Sequence, residues 1–205
     1  MSTARYADTR LSPEHLPLIV QVQPVLNFTD EQFYEFCQLN IELRIERTAR
    51  GELLLMPPAG WETSEQNAEI SMQLRQWAKR DGTGTTTDSS GGFILPNTAI
   101  RSPDAAWIRY DRLVSLTTEQ RKKFLPLCPD FVIELRSPTD SLTTLQSKML
   151  EYIENGVRLG WLIDPVQGQV YVYSPGSPVV RLDNPDSLSG DPLLPGFRLD
   201  LGEIW

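Results

Sequence analysis

The spacing of apolar and polar residues changes period several times along this chain, and each change predicts an element. Residues 1–28 have no clear period and contain Pro13, Pro17 and Pro24, so they read as an irregular arm packed on the domain or on a partner. Thr29 or Asp30 then offers a good helix N-cap, with Glu31 in the first turn. Phe33, Phe36 and Cys37 give that helix an apolar face as far as Asn40. From Ile41 to Arg47 apolar and polar residues alternate, which is the period of a strand. Ala49–Gly51 can turn the chain into a second strand over Glu52–Met56, ended by Pro57 and Pro58, so the two form a hairpin.

A longer helix is predicted over Glu62–Lys79, where Ile70, Leu74, Trp77 and Ala78 lie on one stripe. Followed toward the N-terminus, the same stripe reaches Thr63 and Asn67 and becomes polar, which marks either a site or ordinary capping. Gly82 and Gly84 break the helix. Short strands follow at Thr85–Ser89, Phe93–Leu95 and Asp104–Arg109, then a short helix over Thr117–Phe124. Asp130–Arg136 is the most strand-like run in the chain. A helix over Leu142–Asn155 is closed by Gly156, and a hairpin joins Leu159–Ile163 to Gln169–Tyr173. Val179–Leu182 and Phe197–Leu201 read as edge strands. Helices interrupting a set of strands predict an α/β (α+β) fold, with a central mixed sheet flanked by helices in one domain.

Composition narrows the function classes. A chain of 205 residues, 40% hydrophobic and 22% charged, can build one sizeable core. No apolar run reaches the roughly 18–20 residues of a membrane span, and the first residues form no apolar signal core, so the expected compartment is cytoplasmic and no membrane partner is expected. Cys37 and Cys128 sit among apolar neighbours and read as buried free thiols; with His15 the only histidine, a His/Cys zinc site is not expected. The net charge of −8 argues against a nonspecific coat on DNA, but it is compatible with a carboxylate-rich metal site. Arg109, Arg112, Arg121, Lys122 and Lys123 gather locally, as a solvated helix face or a phosphate track. The tryptophans are expected mostly in the core, with Trp61, at a loop-to-helix junction, the one that could instead stack on a base.

Two acids and a lysine carry the candidate chemistry. Asp104 follows Pro103 at the start of a strand. Glu134 interrupts an apolar strand, where an uncompensated carboxylate is costly, so it needs a cation, a metal or water as partner. Strand alternation puts Val132, Glu134 and Arg136 on one face and Phe131, Ile133 and Leu135 on the other, so a Glu134–Arg136 or interstrand ion pair is one reading. In the next helix Leu142, Leu145, Met149 and Ile153 define the buried face. Lys148 lies about 100° from its middle, on the same margin as Tyr152. From there a lysine can lay its methylenes on the core and extend its ammonium to the end of the sheet. Gln146 lies on the opposite margin and is left out.

These residues carry a resemblance. Pro103-Asp104 followed by Glu134-Leu135-Arg136 resembles the PD-(D/E)XK nuclease pattern. More narrowly, SPDAAW, CPDFVIELRSPTDSLTTLQSKMLEYIENGVRLGWLIDP and the closing LLPGF resemble the Uma-two family of restriction endonucleases, over roughly Phe28–Trp205. The resemblance implies a restriction-endonuclease-like core over residues 29–205 that cuts DNA with Mg2+, Mn2+ being a possible substitute. Asp104 and Glu134 would be metal ligands, joined by the backbone carbonyl of Leu135. The motif's lysine position holds Arg136, and the resemblance moves that lysine to Lys148. Asn67 stands where many relatives have histidine, so Asn67, Arg136 and Tyr152 are accessory positions. An arginine can supply charge there but is not a plausible base. The alternative is a nuclease-like fold used for binding or assembly without catalysis. A glycosidase with paired carboxylates is disfavoured, because no aromatic cluster suggests a sugar cleft. The arm and the C-terminal strands are the places expected to make a homodimer.

Overall fold

A computed structural model describes residues 17–205. The elements run β1 (Leu18–Val20), α1 (Asp30–Leu39), β2 (Arg44–Arg47), β3 (Leu53–Met56), α2 (Trp61–Asp81), β4 (Gly84–Asp88), β5 (Phe93–Ile94), β6 (Ile100–Arg101), β7 (Ala105–Arg109), α3 (Tyr110–Leu113), α4 (Thr118–Arg121), β8 (Phe131–Leu135), α5 (Leu142–Glu154), β9 (Leu159–Asp164), β10 (Gln169–Tyr173), β11 (Val180–Asp183), β12 (Ser187–Ser189) and β13 (Arg198–Asp200). The helices begin and end where the local chemistry says they should. Thr29 and Gln32 form a reciprocal capping box ahead of α1. Ser141 caps α5, and Gly82, with φ 73°, closes α2 in the left-handed region.

The main sheet has the strand order β11-β10-β9-β8-β7-β4. Only β8 and β9 pair in parallel, and α5 supplies the crossover that a parallel pair requires. Strand alternation then sorts the core into two layers. Trp107, Phe131, Ile133 and Trp161 face α2, where Ile70, Leu74 and Trp77 meet them. Phe197, from the C-terminal region, stacks on Trp161 with centroids 5.8 Å apart. On the other face Ala106, Ile108, Val132 and Leu162 pack against Met149 and Tyr152 of α5. The sheet is thus mixed, buried on both faces and flanked by helices, as the sequence pattern predicts.

A second, smaller sheet has the order β1-β3-β2-β6-β5 and packs Ile45, Leu53 and Ile100 against Phe33 of α1. The chain crosses directly from this sheet to the main one through Ser102-Pro103-Asp104, between β6 and β7; its other crossing in that direction, from β3 to β4, runs through α2. Two sheets therefore meet at the residues that lead into Asp104.

Several expectations are corrected. The arm is not irregular throughout, because Leu18–Val20 pairs with β3 as β1; residues 1–16, including Pro13 and His15, lie outside the described residues. The strand expected from Ile41 starts at Arg44, and Ile41 and Leu43 are exposed. β6, α3 and β12 are too short to leave a periodic signal. β13 pairs with β12 in a separate two-stranded sheet and is not an edge of the main one. Trp77, Trp107 and Trp161 are buried, but Trp61 and Trp205 are exposed. Cys128 is buried and Cys37 half-buried, and burial pushes the thiols up to about 12 and about 11 respectively. No helix among the described residues is long and apolar enough to cross a membrane.

Candidate active site

Asp104 stands immediately before β7, which runs antiparallel to β8 with Ala105 opposite Ile133. One step further in that register brings Asp104 beside Glu134, on the α5 face of the sheet. Oδ2 of Asp104 accepts the Leu135 amide at 2.9 Å, and Oδ1 meets both terminal nitrogens of the Arg44 guanidinium at 3.3 Å. Oε1 of Glu134 accepts the Tyr152 hydroxyl at 3.0 Å and lies 2.8 Å from Nζ of Lys148. Lys148 and Tyr152 are four residues apart on α5, so one helix turn presents both to the same carboxylate. The helical phase that placed this pair on one margin is what the structure contains.

Lys148 has a second partner. Its Nζ donates to Oε1 of Glu46 on β2 at 2.9 Å. That carboxylate also accepts the Ser102 amide at 3.0 Å and pairs with Arg101 at 3.1 Å, and Arg101 continues to Glu151 at 2.6 Å. Glu46, Asp104 and Glu134 are all buried.

Four carboxylates (Glu46, Asp104, Glu134, Glu151) thus share three cations (Arg44, Arg101, Lys148), which leaves one negative charge uncompensated. It falls on Glu134. Burial raises its carboxyl; Lys148 opposes, but Asp104 and Glu46 add to the rise, and the group is held up at about 7. Burial also acts to raise Glu46, but Lys148, Arg101, Arg44 and the Ser102 amide outweigh it and bring the group down to about 2. For Lys148, burial disfavours the ammonium, and Glu134 and Glu46 more than restore it. Tyr152 is raised well above its ordinary value by burial and by the same two acids, so it remains a phenol that donates.

Asp104, Glu134, Leu135 and Lys148 line one cleft of about 1040 Å³, with Arg44 and Asn67 beside them. The N-terminal end of α2, from Gly60 to Thr63, forms part of its wall. Among the described residues, no three His, Cys, Asp or Glu side chains are grouped to hold a metal. Two carboxylates, a backbone carbonyl and water are nevertheless a donor set that suits Mg2+. Two further observations agree with such an ion: the surplus of one carboxylate over the cations paired with this group, and the buried Asn67 Oδ1, which has no hydrogen-bond partner.

The structure separates Arg136 from this group. Its guanidinium pairs with Asp164 at 2.7 Å and donates to the Asp140 carbonyl at 3.1 Å, so no Glu134–Arg136 pair forms. Arg136 lies one residue past the end of β8, where the β8–β9 register sets it opposite Asp164. Among the clustered basic residues, Arg109 pairs with Asp111 and Arg112 with Asp130, near the opposite ends of β7 and β8 from Asp104 and Glu134; they form no phosphate track into this cleft. Sequence reasoning missed Arg44, Glu46, Arg101 and Glu151. The period-two run over 41–47 did place Arg44 and Glu46 on one face, but alternation alone cannot say which face of a hairpin is covered.

The likeness to known structures is one of fold. The chain is similar to the crystal structure described as "a putative nuclease belonging to DUF820" from Anabaena variabilis, with a TM-score of 0.65 and 21% identity over 82% of this chain and 91% of that one. Residues 30–202 match the Uma2 family, whose description reads "Putative restriction endonuclease", and the chain belongs to that family. No curated protein matches it.

Proposed function

We propose that this chain is a Mg2+-dependent DNA endonuclease that hydrolyses phosphodiester bonds, with Mn2+ as a substitute. One observation carries the reading: Asp104, Glu134 and Lys148 arrive from three different elements at one cleft, with the lysine ammonium 2.8 Å from the acid. Family membership and a nuclease-like fold support it.

Asp104 and Glu134 would hold the ion through their carboxylates, with the Leu135 carbonyl as a third oxygen. When bound, the ion polarises the scissile phosphate and lowers the pKa of a water beside it. The chain's own residues do the rest. Tyr152 fixes the orientation of Glu134 by its hydroxyl. The Leu135 amide fixes Asp104. The Lys148 ammonium faces the phosphate as a positioned cation, offsetting charge that builds on its oxygens as water attacks phosphorus and the bond to the leaving oxygen breaks. Lys148 also offers a donor to orient that water. A homodimer working in the cytoplasm would bring two such sites to the two strands of a duplex.

One observation favours a second reading, a nuclease fold that binds or assembles without cutting. Arg44 and Lys148 are already engaged by carboxylates, so much of their charge is answered within the protein before any phosphate arrives. A plasmid assay separates the two. Nicking or cutting with Mg2+ or Mn2+, abolished by chelation and by Lys148→Ala, is expected. Supercoiled, linear and single-stranded DNA all left intact with either ion would overturn the nuclease reading.

A further inference from the structure

Glu46 reaches this group of charges from a different part of the fold. It belongs to the small sheet, whereas Asp104 and Glu134 belong to the main one and Lys148 to α5. It is 1% exposed and makes three charge-assisted contacts, with Lys148, Arg101 and the Ser102 amide. We infer that Glu46 is a positioning residue for the reaction proposed above: it fixes the Lys148 ammonium beside Glu134 and anchors the segment that carries Asp104.

The contacts of Glu46 are not equally replaceable. Arg101 does not depend on Glu46, because Glu151 meets it at 2.6 Å, closer than Glu46 at 3.1 Å. Lys148 has Glu134 as its other anionic partner, and Glu134 is the acid that a divalent ion would claim. Whenever Glu134 turns its charge to an ion, Glu46 is the remaining anion that holds Lys148. A lysine hangs on a flexible four-carbon stem, so the location of its charge is set by what it bonds to. Here one oxygen of Glu46 and one of Glu134 bracket Nζ at 2.9 Å and 2.8 Å. The same Glu46 oxygen accepts the amide of Ser102, two residues before Asp104, so the lysine and the first acid are referenced to one atom.

The inference depends on the nuclease reading for its kinetic consequence but not for its structural one, and the test separates them. The lysines of this chain are Lys79, Lys122, Lys123 and Lys148, and the first three are exposed. At neutral pH exposed ammonium protons exchange with water too fast to observe, so a proton–nitrogen spectrum of the lysine ammonium groups is expected to contain one protected signal, absent in Lys148→Met. Glu151→Gln removes a partner of Arg101 without touching Lys148 and should retain the signal. Glu46→Gln should lose it. In the plasmid assay Glu46→Gln should lower kcat by about 10- to 100-fold, the usual effect of losing a supporting partner, with KM for DNA unchanged. In a Lys148→Met background, Glu46→Gln should not lower any residual cutting further.

A protected signal that survives Glu46→Gln overturns the inference, as do losses that multiply in the double variant. If the wild-type chain cuts nothing, the nuclease reading falls and the ammonium signal alone decides. If Glu46→Gln does not fold by circular dichroism, Glu46→Asp replaces it. That variant keeps a charge beside Arg101 and shortens the reach to Lys148 by one methylene; the same two readouts apply.

Discussion

The amide of Leu135 donates to Oδ2 of Asp104 at 2.9 Å, so the acid that opens one strand is fastened to the end of its neighbour. Oδ1 is held more loosely, by two Arg44 contacts of 3.3 Å, longer than the roughly 2.7–2.9 Å of a strong charge-assisted bond. One oxygen is structural and the other can be given up to a ligand. Asp104→Asn keeps an acceptor for Leu135 and removes the charge. It should therefore lower Mn2+ affinity, measured by calorimetry, by at least about tenfold, with little change in Tm. Asp104→Ala should lose affinity and also cost about 1–3 kcal/mol in urea unfolding, because a buried amide loses its partner. Undiminished Mn2+ binding by Asp104→Asn would remove Asp104 from the metal site.

Glu134 gives the ion-free protein a distinctive pH dependence. Its carboxyl moves from 4.5 to about 7. Between those values the folded chain keeps a proton that the unfolded chain has lost. The group's contribution to stability is thus complete below about pH 4.5, falls as pH rises and is gone above about 7. Glu46, lowered from 4.5 to about 2, has the opposite sign: its contribution is present above about 4.5 and is lost as pH falls toward 2. Without divalent ions, the urea midpoint is expected to decline from about pH 5 to 7, and Glu134→Gln should flatten that decline. Mn2+ binding needs the ionised carboxylate, so affinity should rise through about pH 7 and level off above it. An unchanged slope in Glu134→Gln would assign the decline to another group.

The sequence made the site legible where a buried period met a charged residue. Glu134 stands out because the rest of its strand is apolar, and Lys148 because helical phase sets it at the edge of the α5 core. Asp104 gains weight only from the strand that follows it. Glu46 was hidden by its surroundings. In Ile41–Arg47 the alternation is regular, but Ile41 and Leu43 are exposed and Glu46 is buried, the reverse of what hydropathy favours. Ion pairing to Arg101 and Lys148 offsets the cost of burying that carboxylate, and those partners lie 55 and 102 residues away in sequence. The fold was legible in its long elements, because α2, α5, β8 and β9 each bury a full face. β6 and β12, of two and three residues, each bury one apolar side chain, Ile100 and Leu188, too few to set a period.

Arg136 occupies the motif's lysine position but has a structural role. Its partner Asp164 is fully buried, and the pair closes at 2.7 Å between the ends of β8 and β9. Arg136→Met should cost up to about 3–5 kcal/mol in urea unfolding, since a buried carboxylate is left without its cation. Mn2+ affinity, measured below the unfolding transition, should be unchanged. A loss of affinity in a stably folded Arg136→Met would return this residue to the site.

Trp61 is the first residue of α2, lies on the cleft wall and is 82% exposed. Gly60 before it provides no side-chain cap, so neither residue supports the core. Trp61→Ala should change unfolding free energy by no more than about 0.5 kcal/mol, as for other surface positions. An exposed indole on the wall of a nuclease cleft suits stacking on an unpaired base, worth about 1–3 kcal/mol. Binding of a labelled single-stranded oligonucleotide, followed by anisotropy without divalent ions, should therefore weaken roughly 5- to 150-fold in Trp61→Ala and far less in Trp61→Phe, which keeps a ring. Salt dependence should be alike in all three proteins, because stacking releases no counterions. Equal affinity of the alanine and tryptophan chains would leave Trp61 without a role in DNA contact.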